Sequence, residues 1–165
     1  MIVSRIVSGG QTGVDRAALD VALERGIACG GWCPRGRLAA DGPIDSRYLL
    51  VETPAQDYSQ RTAWNVRDSD GTLILTLGKP TGGTALTKTL ADEAGKPCLV
   101  VDLGENAGAD AAVEWIANES VRTLNVAGPR ENLRQQVYVK ASQFLREMLE
   151  QLASKPSAAE ITHGR

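Results

Sequence analysis

Three stretches of this chain carry residue types suited to holding an anion. In "SGGQTGVD" (8–15), Gly9, Gly10 and Gly13 are glycines where a backbone can come close to a ligand, and Gln11 and Thr12 add side-chain donors. The stretch runs into a helical pattern, and the unpaired amides at a helix start favour negative charge. A tight turn capped by Thr12 is the structural alternative. In "GKPTGGTALT" (78–87), Gly82, Gly83 and Thr84 offer a second set of amides and a hydroxyl before another helix. In "NVAGPREN" (125–132), Arg130 is a cation for a phosphate or carboxylate, while Gly128, Pro129 and Glu131 or Asn132 would serve equally as a turn and helix start.

Neighbouring residues add to these loops. Asp15 and Arg16 fall in the first turn of the helix, where an acid suits the helix dipole and where the pair could also orient a ribose or phosphate. Arg35 and Arg37 stand beside Trp32, a combination for an anion and a flat ring or else a solvated basic loop. Arg61 and Asn65 share a helix face at i and i+4, the spacing of an ordinary surface pair too. The glycine spacing is neither G-x-G-x-x-G nor a P-loop. His163, near the tail, is the single histidine, so no Ser-His-Asp arrangement is expected and acid-base work would fall to Asp, Glu, Lys or Tyr. Cys29, Cys33 and Cys98 fall short of a zinc site, and no protein-ligated metal is expected.

The elements that must position these loops alternate. Strands are expected at 2–7, 27–34, 71–77, 96–103 and 121–128, and helices from Val14 to a stop at Gly26, over 58–68, from Gly82 to near Gly95, over 108–119, and from Glu131 onward. The last helix is assigned an apolar stripe of Leu133, Val137, Ala141, Phe144, Leu145, Met148 and Leu152. The unbroken "GTLILTL" suits a strand buried on both faces. Residues 35–58 read as an excursion over the surface, of a length that usually serves a site. Strands alternating with helices imply an α/β fold, a Rossmann-like three-layer sandwich with a mostly parallel sheet of about five strands. One domain spans 1–152, and 153–165 read as a disordered tail.

The 165 residues carry a net charge of −2, which argues against a nucleic-acid surface. No apolar run reaches membrane-spanning length, and the first residues lack the h-region of a secretory signal, so a cytoplasmic protein is expected. A small anionic ligand remains compatible with this charge, because backbone amides can hold it.

Six blocks in chain order, "SGGQTGVDRAALD", "GWCPRGRLAADG", "YLLVET", "RTAWNVRDSDGTLI", the "GGT" at 82–84 and "NVAGPRE", resemble the molybdenum-cofactor carrier family. That family is a Rossmann-like branch of the superfamily holding the LOG-type nucleotide hydrolases and the DNA-uptake protein Smf/DprA, and the resemblance covers about residues 3 to 145. It implies a cytoplasmic homo-oligomer whose pocket takes a nucleotide-like or pterin-phosphate ligand. The lining it implies is Gly9, Gly10, Gln11, Thr12, Gly13, Asp15, Arg16, Arg35, Arg61, Asn65, Gly82, Gly83, Thr84 and Arg130. Molybdenum cofactor or a nucleotide would be the bound molecule, the molybdenum held by the pterin's dithiolene. LOG-type enzymes carry a Glu three residues after the Thr of their Gly-rich turn. Thr87 stands at that position here, which takes away the side chain such hydrolysis would use. The expectation is therefore a binding or carrier protein for a phosphorylated small molecule. The alternatives are a nucleotide-processing enzyme using Asp15 and a sensor that recruits another protein through a surface such as Trp32.

Overall fold

The computed structural model of the chain describes residues 2–105 and 107–155. In chain order the elements are β1 (Arg5–Val7), α1 (Val14–Glu24), β2 (Ala28–Gly30), β3 (Trp32–Cys33), β4 (Leu38–Ala39), β5 (Gly42–Pro43), β6 (Val51–Glu52) and α2 (Tyr58–Arg67). There follow β7 (Gly71–Thr76), α3 (Gly82–Glu93), β8 (Cys98–Asp102), α4 (Asp110–Asn118), β9 (Thr123–Ala127) and α5 (Val137–Ser154). Five strands form one sheet in the order β2-β1-β9-β7-β8, and every pairing in it is parallel.

The six residues of β7 are all buried, as its apolar run requires of a strand covered on both faces. Helices α1 and α4 pack against α5 on one side, and α2 packs against α3 on the other, which completes a three-layer α/β sandwich of Rossmann-like type. The main core joins Leu73, Leu75, Leu124 and Val126 of the sheet to Ala17, Ala18 and Val21 of α1 and to Val137, Ala141, Phe144, Leu145 and Met148 of α5. The chain leaves β1 towards β2 and leaves β7 towards β8, in opposite directions, and β9 fills the gap between them. Loops diverge at such a switch point and leave a crevice beyond the strand ends. No helix among the described residues is long and apolar enough to cross a membrane.

Three sequence expectations are corrected. The strand expected over 27–34 breaks at Gly31, whose φ is +125°. A Cβ there would lie 2.5 Å from the Ser8 carbonyl oxygen, so the chain turns away, and β3 pairs with β6 in a separate two-stranded sheet. Residues 35–58 are not a bare excursion over the surface. Ile44, Tyr48 and Leu50 bury themselves against Leu19 and Cys33 in a second small core. Arg37 fixes this segment by donating to the carbonyls of Ile44 (3.0 Å), Leu50 (3.2 Å), Asp45 (2.9 Å) and Tyr48 (2.9 Å).

The last helix begins at Val137 rather than Glu131. Gln136 takes a left-handed conformation (φ +53°), and the Glu131 carboxylate accepts the amides of Val137 (3.0 Å) and Tyr138 (3.1 Å), satisfying the helix start from outside. Leu133 therefore leaves the apolar stripe and is 88% exposed. Of the tail expected over 153–165, Ala153 and Ser154 continue α5, and residues 156–165 lie outside the described part of the chain.

Candidate functional site

A cavity of about 540 Å³ opens at the carboxyl ends of β1, β7 and β9, at the switch point. Gly9, Gln11 and Asp15 line it from the first loop. Tyr58, Arg61, Thr62 and Asn65 line it from α2, Thr76, Leu77, Lys79, Thr81, Gly83, Thr84, Leu86 and Thr87 from β7, α3 and the loop between them, and Asn125 to Arg130 from β9 and the loop after it, with Gln135 beyond. Three cations, Arg61, Lys79 and Arg130, face one carboxylate, Asp15, so the wall is net positive.

The first loop is built differently from the expectation of open amides. Its N–H groups are largely engaged within the protein: Gly10 donates to Ser8 Oγ (3.3 Å), Gln11 to Asp15 Oδ2 (3.2 Å), Thr12 to Gln11 Oε1 (3.0 Å) and Val14 to the Pro129 carbonyl (3.3 Å). The acidic group at this helix start is the Asp15 carboxyl itself, accepting the Gln11 amide. The glycines make room for protein rather than for a ligand. A Cβ on Gly9 would sit 1.5 Å from Arg61 Nη1, one on Gly10 2.5 Å from Leu50 Cδ1, and one on Gly13 2.4 Å from the Pro129 carbonyl.

Into the space over Gly9 fits a buried ion pair, Arg61 Nη1 to Asp15 Oδ2 at 2.9 Å, with side chains 12% and 5% exposed. It ties α2 to α1 across the end of β1. Burial pushes the Asp15 carboxyl above its usual range, against the pull of the Arg61 guanidinium. Arg61 Nε and Gln11 Nε2 are buried donors with no acceptor among the described residues, an uncommon condition in a native fold.

The second loop keeps its amides open. No protein acceptor takes the N–H of Gly82 or Gly83 among the described residues, and a Cβ on either would meet nothing within 4 Å. Thr84 (8% exposed) and Thr76 (4%) present hydroxyls that have no side-chain hydrogen bond there. Lys79, in the same loop, and Arg130, after β9, have no carboxylate partner among the described residues. Thr87 Oγ1 donates to the Gly83 carbonyl at 2.9 Å, so the position of the LOG-type Glu carries a hydroxyl turned into its own helix.

Of the residues named from sequence, Gly9, Gln11, Asp15, Arg61, Asn65, Gly83, Thr84 and Arg130 line the cavity, and Gly10, Thr12, Gly13, Arg16, Arg35 and Gly82 do not. Thr12 Oγ1 accepts the Glu131 amide (3.2 Å). Arg16 donates to the Gly10 carbonyl (3.0 Å) and pairs with Asp41 (3.0 Å), bracing the loop from outside the cavity. Arg35 is exposed. Its neighbours do not join it around a ligand: Arg37 is held by four carbonyls, and Trp32 packs edge-on against Trp64 with its Nε1 donating to Asp68 (2.8 Å). Asn65 lines the cavity, but its amide is bonded to the backbone N–H (2.8 Å) and carbonyl (2.9 Å) of Trp32. Sequence reasoning missed Tyr58, Thr76, Lys79, Asn125 and Gln135. Lys79 could have been found, since it lies three residues before Gly82 of the Gly-rich turn. Tyr58 gave no signal, being the first residue of an ordinary helix.

Metal-ligating side chains do not gather in groups of three or more among the described residues. Among known proteins, the model of the circularly permuted YpsA SLOG family matches residues 6–149. A crystal structure described as "Putative molybdenum carrier protein" from Syntrophus aciditrophicus SB is 43% identical, with a TM-score of 0.85, and the match covers 90% of this chain and 96% of that one. No curated protein matches. With a family model spanning most of its length and a close relative of the same fold, the chain belongs to the circularly permuted YpsA SLOG family.

Proposed function

We propose that this chain binds a phosphorylated, nucleotide-like small molecule in the switch-point cavity and releases it unchanged, with molybdenum cofactor the cargo suggested by the name of the 43% identical relative. The observation that carries this reading is the β7–α3 loop. The open Gly83 amide at a helix start, two threonine hydroxyls and the unpaired cation Lys79 converge on one cavity, which the unpaired Arg130 also lines, and together they favour a multiply charged oxyanion. The cavity volume of about 540 Å³ suits a ligand of nucleotide or pterin size.

Calorimetric titration with pterin monophosphate, purine and pyrimidine nucleoside monophosphates and inorganic phosphate tests it. Saturable binding of at least one phosphorylated heterocycle is expected, and failure of all of them to bind at high micromolar concentration refutes it. A second reading, a nucleotide-processing enzyme, draws on Asp15, a carboxyl at the cavity wall that burial pushes towards the protonated form. Incubation with the same panel and product analysis separates the two. Turnover abolished in Asp15→Asn would favour the enzyme, and unaltered ligands would favour the carrier.

A further inference from the structure

Among the described residues, Tyr58 is the one aromatic ring on the cavity wall. It opens α2, where the Asp57 carboxylate caps the helix by accepting the amides of Ser59 (3.0 Å) and Gln60 (3.2 Å), so its backbone is fixed. The side chain is 38% exposed, and its hydroxyl has no hydrogen-bond partner among the described residues. Two guanidinium groups approach the ring, Arg61 at 5.3 Å and Arg130 at 5.5 Å from its centroid. They differ in freedom. Arg61 is locked by its buried pair with Asp15, whereas Arg130 is exposed, carries no carboxylate partner and has this ring as its one described contact of note.

The geometry points to Tyr58 and Arg130 as a clamp for the flat ring of the ligand. The ring enters between phenol and guanidinium, displacing Arg130 from the phenol face, while the phosphate lies at Lys79 and the open Gly83 amide of α3. A guanidinium plane and a phenol face both stack on heteroaromatic rings, and a planar ring between them replaces one cation–π contact by two stacked ones. The inference rests on the reading proposed above and names the side chains that would select for the ring. Tyr58 determines specificity, making the ligand class a phosphorylated heteroaromatic rather than a sugar phosphate.

Titration of the full chain with a purine nucleoside monophosphate and with ribose 5-phosphate, which share a phosphate and differ in the ring, tests it. The wild type is expected to bind the nucleotide about 10-fold more tightly or better. Tyr58→Ala should bring that ratio close to one, with urea unfolding at the wild-type midpoint showing that the variant is folded. Tyr58→Phe should keep the ratio, and Arg130→Lys, which keeps the charge and loses the plane, should lower it. Equal affinity of the wild type for the two phosphates, or an unchanged ratio in Tyr58→Ala, would overturn the clamp and leave anion binding standing. Binding of neither phosphate would overturn both.

Discussion

Gly9→Ala should destabilise the protein with no ligand present, because the space over Gly9 belongs to Arg61. The new Cβ would lie 1.5 Å from Arg61 Nη1 and 2.5 Å from Cζ. Arg61 ends in a flexible side chain and can retreat, but retreat breaks its 2.9 Å pair with Asp15. The Asp15 carboxyl, 5% exposed, would keep just the Gln11 amide at 3.2 Å. Breaking a buried pair from one side costs about 3–5 kcal/mol, and the lower end applies because the displaced guanidinium can reach water through the cavity. A loss of about 3 kcal/mol lowers the melting temperature of a domain this size by roughly 6–12 °C.

Urea unfolding of the wild type, Gly9→Ala, Arg61→Ala and the double variant measures the coupling. In the Arg61→Ala background the extra methyl meets no guanidinium and should cost less than about 0.5 kcal/mol. The deficit of Gly9→Ala should also shrink on acidification. Burial already holds the Asp15 carboxyl above its ordinary 3.8, and loss of Arg61 raises it further. A carboxyl whose folded pKa exceeds its unfolded one loses stability as pH rises between the two, so the part of the penalty that comes from the ionised Asp15 fades as pH falls towards the ordinary carboxyl range. Costs that simply add in the double variant, or a Gly9→Ala protein as stable as the wild type, would refute the assignment of this glycine to Arg61.

Three further outcomes follow from the fold. Arg37→Lys cannot reach four carbonyls and should cost about 3 kcal/mol in urea unfolding, since Ile44 and Leu50 lose the staple that holds them against Gly10. Burial and the Asp20 carboxylate, which accepts its hydroxyl at 2.6 Å, push Tyr138 up to about 12. Ultraviolet titration should show a tyrosinate signal near that pH that is diminished in Tyr138→Phe, and wild-type stability should fall as pH rises from 10 to about 12. Leu133→Ala, at an 88% exposed site outside α5, should change stability by less than about 0.5 kcal/mol, where a stripe residue would cost at least 2.

The parallel sandwich was legible because its signals are local. The apolar run of β7 and the helical stops at Gly26 and Gly95 depend on neighbours in sequence. The segment 35–58 was not, because what folds it is Arg37 reaching carbonyls 7 to 13 residues away. The glycines of "SGGQTGVD" show the same limit. Sequence reveals that a side chain is missing but not what occupies its place, and here the occupants are Arg61, Leu50 and the backbone after Pro129. At the β7–α3 loop the places over Gly82 and Gly83 are open, so the same composition there does leave room for a ligand. The start of α5 escaped detection because Glu131 caps it across a gap of six residues.

Native mass spectrometry of the purified protein incubated with pterin monophosphate and nucleoside monophosphates tests the central claim most directly. A single phosphorylated heterocycle retained per chain by the wild type, and lost in Lys79→Ala and Arg130→Ala proteins that unfold at the wild-type midpoint, is the predicted result. Retention that survives both substitutions, or no retention of any phosphorylated molecule by the wild type, would contradict the assignment of the switch-point cavity as an anion-binding carrier site.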